Sequence, residues 1–276
     1  MVGNSKFSAC GEIVKQRDPD RFLTCLFAQN AQREALFALY AFNYEIAKVR
    51  STVSEPMLGQ IRLQWWREAI DECYNKDHQR RHEVVQPLYD AITRFKLSRI
   101  HFDALIDARE QDFDNEKFKS LNDLAYYAAK TNAPLMWLAC EIFNRDGEHL
   151  KIIAESIGTA WAMIGLMRAT PFLLQTGSDA LPREILQRHG LISAPHKPTV
   201  EINATIKDVC LNATDRLNNA KVSKDIYCPP LLLKAMANQY LAQFKTVAYD
   251  PFNSKLENAP FTRIPKLYLS SILRRL

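Results

Sequence analysis

Residues 21–42 read RFLTCLFAQNAQREALFALYAF, and the second half of that stretch decides the fold class. Leu36, Phe37, Tyr40 and, just beyond, Tyr44 recur at spacings of three and four, the period of one helix face and not of a strand. The same period continues outward in both directions. Upstream, Asp18-Pro19 has the form of an N-cap followed by proline at the first helical position. Downstream, Ser54-Glu55-Pro56 opens a second helix, with Leu58, Ile61, Trp65 and Ala69 as the predicted inward stripe and Arg62, Arg67 and Glu68 elsewhere. Further helices are predicted over about 84–112, 120–143, 150–173, 200–221 and 229–246. Pro182 and Gly190 bracket a short helix, REILQRH, while 191–199 and 247–265 read as irregular connections. No alternating strand pattern, repeat or low-complexity tract interrupts this.

The composition agrees with a helical globular chain. Of 276 residues, 47% are hydrophobic and 24% charged, which excludes disordered and fibrous classes, and only 8 are glycine, which disfavours glycine-rich sheet folds. Thirty-six Lys+Arg against 31 Asp+Glu give a dispersed charge of +5, so no nucleic-acid partner is expected. Cys10, Cys25, Cys73, Cys140, Cys210 and Cys228 form no CxxC pair and read as buried free thiols of a reducing compartment. No run reaches the roughly 18 uncharged apolar residues of a membrane span. The opening residues resemble neither a secretion signal nor a transit peptide. The expectation is a cytoplasmic protein built as one all-α domain over residues 1–276.

Three constellations bear on chemistry. His78 and His82 stand four apart with Cys73 upstream, but the charged stretch NKDHQRRHE offers no further ligand, so a solvated segment is the expectation and no metal is assigned there. Asp103, Asp107, Glu110 and Asp114 fall at +4, +3 and +4, so they can share one helix face, with Asp112 on another. Such a stripe suits Mg²⁺, which takes hard oxygen ligands, or equally an exposed acidic face paired with Arg99 or Arg109. The last eighteen residues, APFTRIPKLYLSSILRRL, carry Arg263, Lys266, Arg274 and Arg275 and no acid. With Phe261, Ile264, Leu267, Leu269, Ile272 and Leu273 they make a basic amphipathic end, fit either to rest on an anionic bilayer or to cap the core.

RFLTCLFAQNAQREALFALYAF, followed by LIDAREQDF, DLAYYAAKTNAPL and LPREILQRHG, resembles the squalene/phytoene synthase family over most of the chain, about 10–275. The resemblance implies an all-α isoprenoid-synthase bundle around a central cavity. It also implies head-to-head condensation of two prenyl diphosphates with Mg²⁺ held by two aspartate-rich motifs. The departing diphosphate must be neutralised by metal, and the metal needs carboxylates. Here those motifs depart from the family. At the first, of the form DDxxD, this chain has Ala47-Lys48-Val49-Arg50-Ser51; at the second, of the form RDxxED, it has Arg168-Ala169-Thr170-Pro171-Phe172-Leu173. The glycine-rich VAGxVG element reads Lys130-Thr131-Asn132-Ala133-Pro134-Leu135. One opposite-charge contact at 4 Å is worth on the order of 4 kcal/mol at an effective dielectric of 20, before desolvation, so losing both acid sets outweighs any modest rate factor.

AFNYEIAKVRSTVSEPMLGQIRLQWWREAID together with LMRATP is similar to one branch of the family, that of the respiratory complex I (NADH dehydrogenase) assembly factor 6 and its bacterial relatives. This implies a non-catalytic protein without metal or cofactor, a respiratory-complex assembly intermediate as partner, and a peripheral place on the inner membrane. Lys48, Arg50 and Arg168, with Phe42 and Asn43 beside them, are then the expected cavity or anion-binding residues. Two rival readings stand beside it. In one, Asp107 and Asp112 supply a surviving Mg²⁺ site for prenyl transfer; in the other, the old cavity carries a prenyl diphosphate or lipid.

Overall fold

A computed structural model describes residues 7–75, 80–113, 118–145, 147–258 and 262–273. Among them the regular structure is entirely helical. The helices are α1 (Ala9–Arg17), α2 (Pro19–Cys25), α3 (Asn30–Ala47), α4 (Pro56–Asn75), α5 (Val85–Phe95), α6 (Arg99–Ala108) and α7 (Leu121–Glu141). They continue with α8 (Glu148–Arg168), α9 (Thr170–Gln175), α10 (Arg183–Arg188), α11 (Val200–Asn219), α12 (Leu233–Thr246) and α13 (Arg263–Leu273). The all-α expectation holds. The chain divides into two compact units, one of Met1–Asp114, Pro134–Lys151 and Cys228–Pro230, the other of Asn115–Ala133, Ile152–Tyr227 and Leu231–Leu276.

The first unit is organised around α3. Every residue from Ala35 to Phe42 is at most 5% exposed, so this helix is buried on all sides and not on the single face that its spacing suggested. Helices α1, α2 and α5 pack around it. Phe22 stacks on Phe37 at 5.4 Å, and Phe42 meets Trp66 of α4 and Phe102 of α6 edge-on, each at 5.4 Å. The predicted Asp18 cap is present: its Oδ1 accepts from the Arg21 amide at 3.1 Å, and its Oδ2 from the Arg21 guanidinium at 2.6 Å.

Two expectations in this unit need correction. In α4 the inward stripe is Gly59, Leu63, Trp66, Ala69, Ile70 and Cys73, while Leu58 and Ile61 are exposed. Only Ala69 belongs to both sets. A shift of one residue turns a helix by about 100°, and the position that was overlooked is a glycine. Its missing side chain admits the ring of Phe113, whose Cζ would lie 2.1 Å from an added Cβ. The single helix expected over 84–112 is instead α5, α6 and a 3-10 turn at Arg109–Phe113. Lys96 ends α5 in the left-handed conformation, at φ 53°, and Ser98 starts the next helix.

In the second unit, the run expected at 150–173 breaks after Arg168, where Thr170-Pro171 restarts as α9. The Pro182–Gly190 bracket holds α10, and Gly190 takes φ 78°. α8 is long and apolar enough to cross a membrane by length and composition, though charges interrupt it, and 56% of that window is buried within the fold, as in a core helix. Gly158 brings α8 against α7: an added Cβ would lie 2.9 Å from the Asn132 carbonyl oxygen and 3.2 Å from the Ala133 Cα. All six cysteines are buried and reduced, as expected, and burial pushes Cys10 and Cys210 to about 12 and Cys73 to about 11.

The close approach at Gly158 is checked by urea denaturation. Gly158→Ala is expected to cost about 1–3 kcal/mol, since backbone and not a flexible side chain must yield. Gly165→Ala on the same helix, with nothing within 4 Å, is expected to be neutral or to stabilise by up to about 1 kcal/mol. Equal effects at both positions would refute the close packing.

Candidate functional site

A helix buried along its length still has to bring its last carbonyls into a polar setting. At the C-terminal end of α3 the chain does this with a tight 3-10 turn, Arg50–Thr52, whose Ser51 and Thr52 amides donate to the Lys48 and Val49 carbonyls. Between this end and α4 lies a pocket of about 270 Å³, lined by Glu45, Lys48, Val49, Thr52, Arg62, Trp65 and Trp66. Small-molecule sites usually hold about 300–1,000 Å³, so the space suits a small ligand or headgroup.

The charges here are mostly engaged. Lys48 Nζ donates to Glu45 Oε1 at 2.6 Å and lies 5.2 Å from the Tyr44 ring centre. Arg62 donates to Thr52 Oγ1 at 2.6 Å. The two tryptophans stand edge to face at 5.1 Å, and the ring of His82 lies 5.4 Å from Trp65 and 5.3 Å from Trp66. Behind them Arg80 lies 5.2 Å from the Trp65 ring centre and bonds Glu68 at 2.6 Å and Glu72 at 3.2 Å. His82 is therefore an aromatic neighbour whose Nδ1 accepts from the Val84 amide. His78 lies outside the described residues.

Of the residues expected to line a cavity, Lys48 lies at the pocket. Arg50 is exposed on the turn, and Phe42 is core. Asn43 is 9% exposed, and its Oδ1 has no hydrogen-bond partner among the described residues. Arg168, at the end of α8, lies with its guanidinium 3.8 Å from the Tyr240 ring centre, a cation–π contact on a buried aromatic. Sequence reasoning missed Glu45, Thr52, Arg62 and the two tryptophans as pocket residues. The i, i+3, i+4, i+7 series Glu45, Lys48, Val49, Thr52 was the available signal.

The midchain acids form no continuous stripe, because α6 stops at Ala108. Asp107 and Glu110 share Arg67 Nη2, each at 2.7 Å. Burial alone would lower the Arg67 pKa, but these two bonded carboxylates outweigh it and hold the guanidinium above its ordinary value. Asp103 pairs with Arg99, which also meets Asp71, and Asp112 lies 3.5 Å from Arg109. Asp114 lies outside the described residues. As donors for Mg²⁺ these groups do not fit. Where the family's first motif falls there is no carboxylate, Glu45 beside it is bonded to Lys48, and Asp107 is bonded to Arg67. Among the described residues no three His, Cys, Asp or Glu side chains are grouped to hold a metal.

The helical order and the altered motif regions define the class: residues 14–266 match the squalene/phytoene synthase family, and the chain belongs to it. Among solved structures it is similar to a dehydrosqualene synthase in complex with ligand, at TM-score 0.78 and 14% identity over 95% of each chain. It is also similar to squalene synthase HpnC from Alicyclobacillus acidocaldarius, at TM-score 0.75 and 18% identity over 88% of this chain and 94% of that one. These likenesses concern the fold. Among curated proteins, the NADH dehydrogenase (ubiquinone) complex I, assembly factor 6 of Bos taurus is 28% identical over 96% of this chain and 82% of its own length. The Homo sapiens protein of that name is 27% identical over 95% and 80%. A presqualene diphosphate synthase of Sinorhizobium fredii is 27% identical over 60% of this chain and 59% of its own length.

The Glu45–Lys48 pair makes the pocket testable. Glu45→Gln frees the ammonium, and a partly exposed pair is worth about 0.2–1 kcal/mol, so inorganic pyrophosphate without Mg²⁺ is expected to bind up to about fivefold tighter than to the wild type. Tryptophan fluorescence from Trp65 and Trp66 reports it. Unchanged or weaker binding would contradict this account of the pocket.

Proposed function

We propose that this chain is a non-catalytic member of its family that helps assemble a respiratory NADH dehydrogenase, acting from the cytoplasmic side at the surface of the inner membrane, without a metal. The observation that carries the reading is the end of α3. Where the family places metal-binding aspartates, this chain has Lys48 and Arg50, and the carboxylate next to them, Glu45, is bonded to Lys48. With Glu45 taken up by Lys48 and Arg50 adding a cation, that point leaves no free carboxylate to attract Mg²⁺. Without metal, an allylic diphosphate keeps its leaving group. The assembly-factor relatives, matching nearly the whole chain, support a protein partner on an assembling complex.

The partial match to presqualene diphosphate synthases favours a rival, Mg²⁺-dependent prenyl transfer relying on Asp107 and Asp112. Their bonding to Arg67 and Arg109 weighs against it. Two measurements separate the readings. A deletion strain is expected to lose assembled NADH:quinone reductase on native gels, with recovery on complementation by the Asp107→Asn/Asp112→Asn double variant. Purified protein with Mg²⁺ and radiolabelled farnesyl diphosphate is expected to give no C30 product. Normal assembly in the deletion strain, or turnover abolished by the double variant, would reject the proposal.

A further inference from the structure

The outer face of α13 carries the wrong kind of residue for water. Leu267 is its buried contact, at 1% exposure, and Ser270 and Ser271 are half-buried beside it. At 3.6 residues per turn, Tyr268, Ile272, Leu269 and Leu273 fill the half of the helix opposite Leu267, and Ile264 borders that half. Each of these five is between 51% and 62% exposed. A helix packed on a soluble surface normally puts its apolar residues inward and its serines outward, and here the arrangement is reversed. The helix is nonetheless held to its unit: it packs on α12, and the Thr262 hydroxyl just before it donates to Gln239 Oε1 at 3.2 Å.

We propose that this face of α13 is a membrane-docking surface, with the helix lying in the plane of an anionic bilayer and its five apolar side chains among the acyl chains near the headgroups. Charge selects this occupant. Lys266 is exposed on the helix, and the sequence of residues 259–276 holds four Lys and Arg and no acid. A basic segment that carries an exposed apolar face is what anionic headgroups complement. A second copy of the chain would set the same cations against each other, and like charges across an interface disfavour it. The proposal rests on the membrane-surface part of the proposed function and names the surface responsible.

The test is cosedimentation of the full chain with vesicles of phosphatidylcholine mixed with phosphatidylglycerol, against vesicles of phosphatidylcholine alone. The wild type is expected to bind the anionic vesicles and to release as salt rises. Ile272→Glu and Tyr268→Glu, both at exposed positions, are expected to lose at least about tenfold in binding with an unchanged melting temperature. Lys266→Glu weakens binding to a smaller extent and flattens the salt dependence. Absence of wild-type binding, equal binding to neutral vesicles, or unaltered binding by the glutamate variants overturns the proposal. If Ile272→Glu abolishes respiratory-complex assembly in cells while the wild type ignores vesicles, the face belongs to a protein partner; the assembly reading then stands and the membrane proposal falls.

Discussion

Burial of α3 on every side is the constraint from which the first unit follows. Eight successive residues, Ala35 to Phe42, leave water together, so no polar side chain can stand among them without a partner. Burying a Leu, Phe or Ile side chain is worth about 1.5–3 kcal/mol, and this segment has Leu36, Phe37, Leu39 and Phe42 in sequence. Helices α1, α2, α4, α5 and α6 supply the surfaces that cover it. Close approach is met by small residues: an added Cβ at Gly11 would lie 3.0 Å from the Phe37 ring, and Gly59 receives Phe113.

Polar groups gather where that burial ends. Glu45 and Lys48 face each other one turn apart, Thr52 accepts from Arg62, and the tryptophans close the wall. In a pocket built this way, each carboxylate already has a cationic partner. The midchain acids follow the same pattern, with Arg67 holding Asp107 and Glu110. On the proposed reading, a family whose chemistry depends on carboxylates gathered around divalent cations is represented here by a chain in which Glu45, Asp107 and Glu110 neutralise lysine and arginine. On the proposed reading the scaffold has been kept for its surfaces, and those surfaces meet an assembling complex and a bilayer.

The helices were legible because their period survives in single residues. Asp18-Pro19, Ser54-Glu55-Pro56 and Pro182–Gly190 marked ends that the structure keeps, and the long runs near 120–143 and 200–221 ended within a few residues of prediction. Tertiary choices were not legible. Nothing local distinguishes Leu58 from Leu63 as the buried residue of α4, because the answer depends on Phe113 entering the slot at Gly59. Lys96 takes a left-handed cap that composition does not announce, so three elements were read as one. For the candidate site, Lys48 could be found by comparing motif positions. Its partner Glu45 was within reach of the same helical spacing, whereas Arg62 and the tryptophans across from it became visible only once α3 and α4 were placed together.

The most direct test is a titration of Mn²⁺, a paramagnetic stand-in for Mg²⁺, into the purified chain in the presence of a non-hydrolysable farnesyl thiodiphosphate, followed by electron paramagnetic resonance. The account predicts that every Mn²⁺ is held by water or by the diphosphate and none by side chains of the protein. Stoichiometric protein-bound Mn²⁺ that disappears when Asp107 and Asp112 are replaced by asparagine would contradict it.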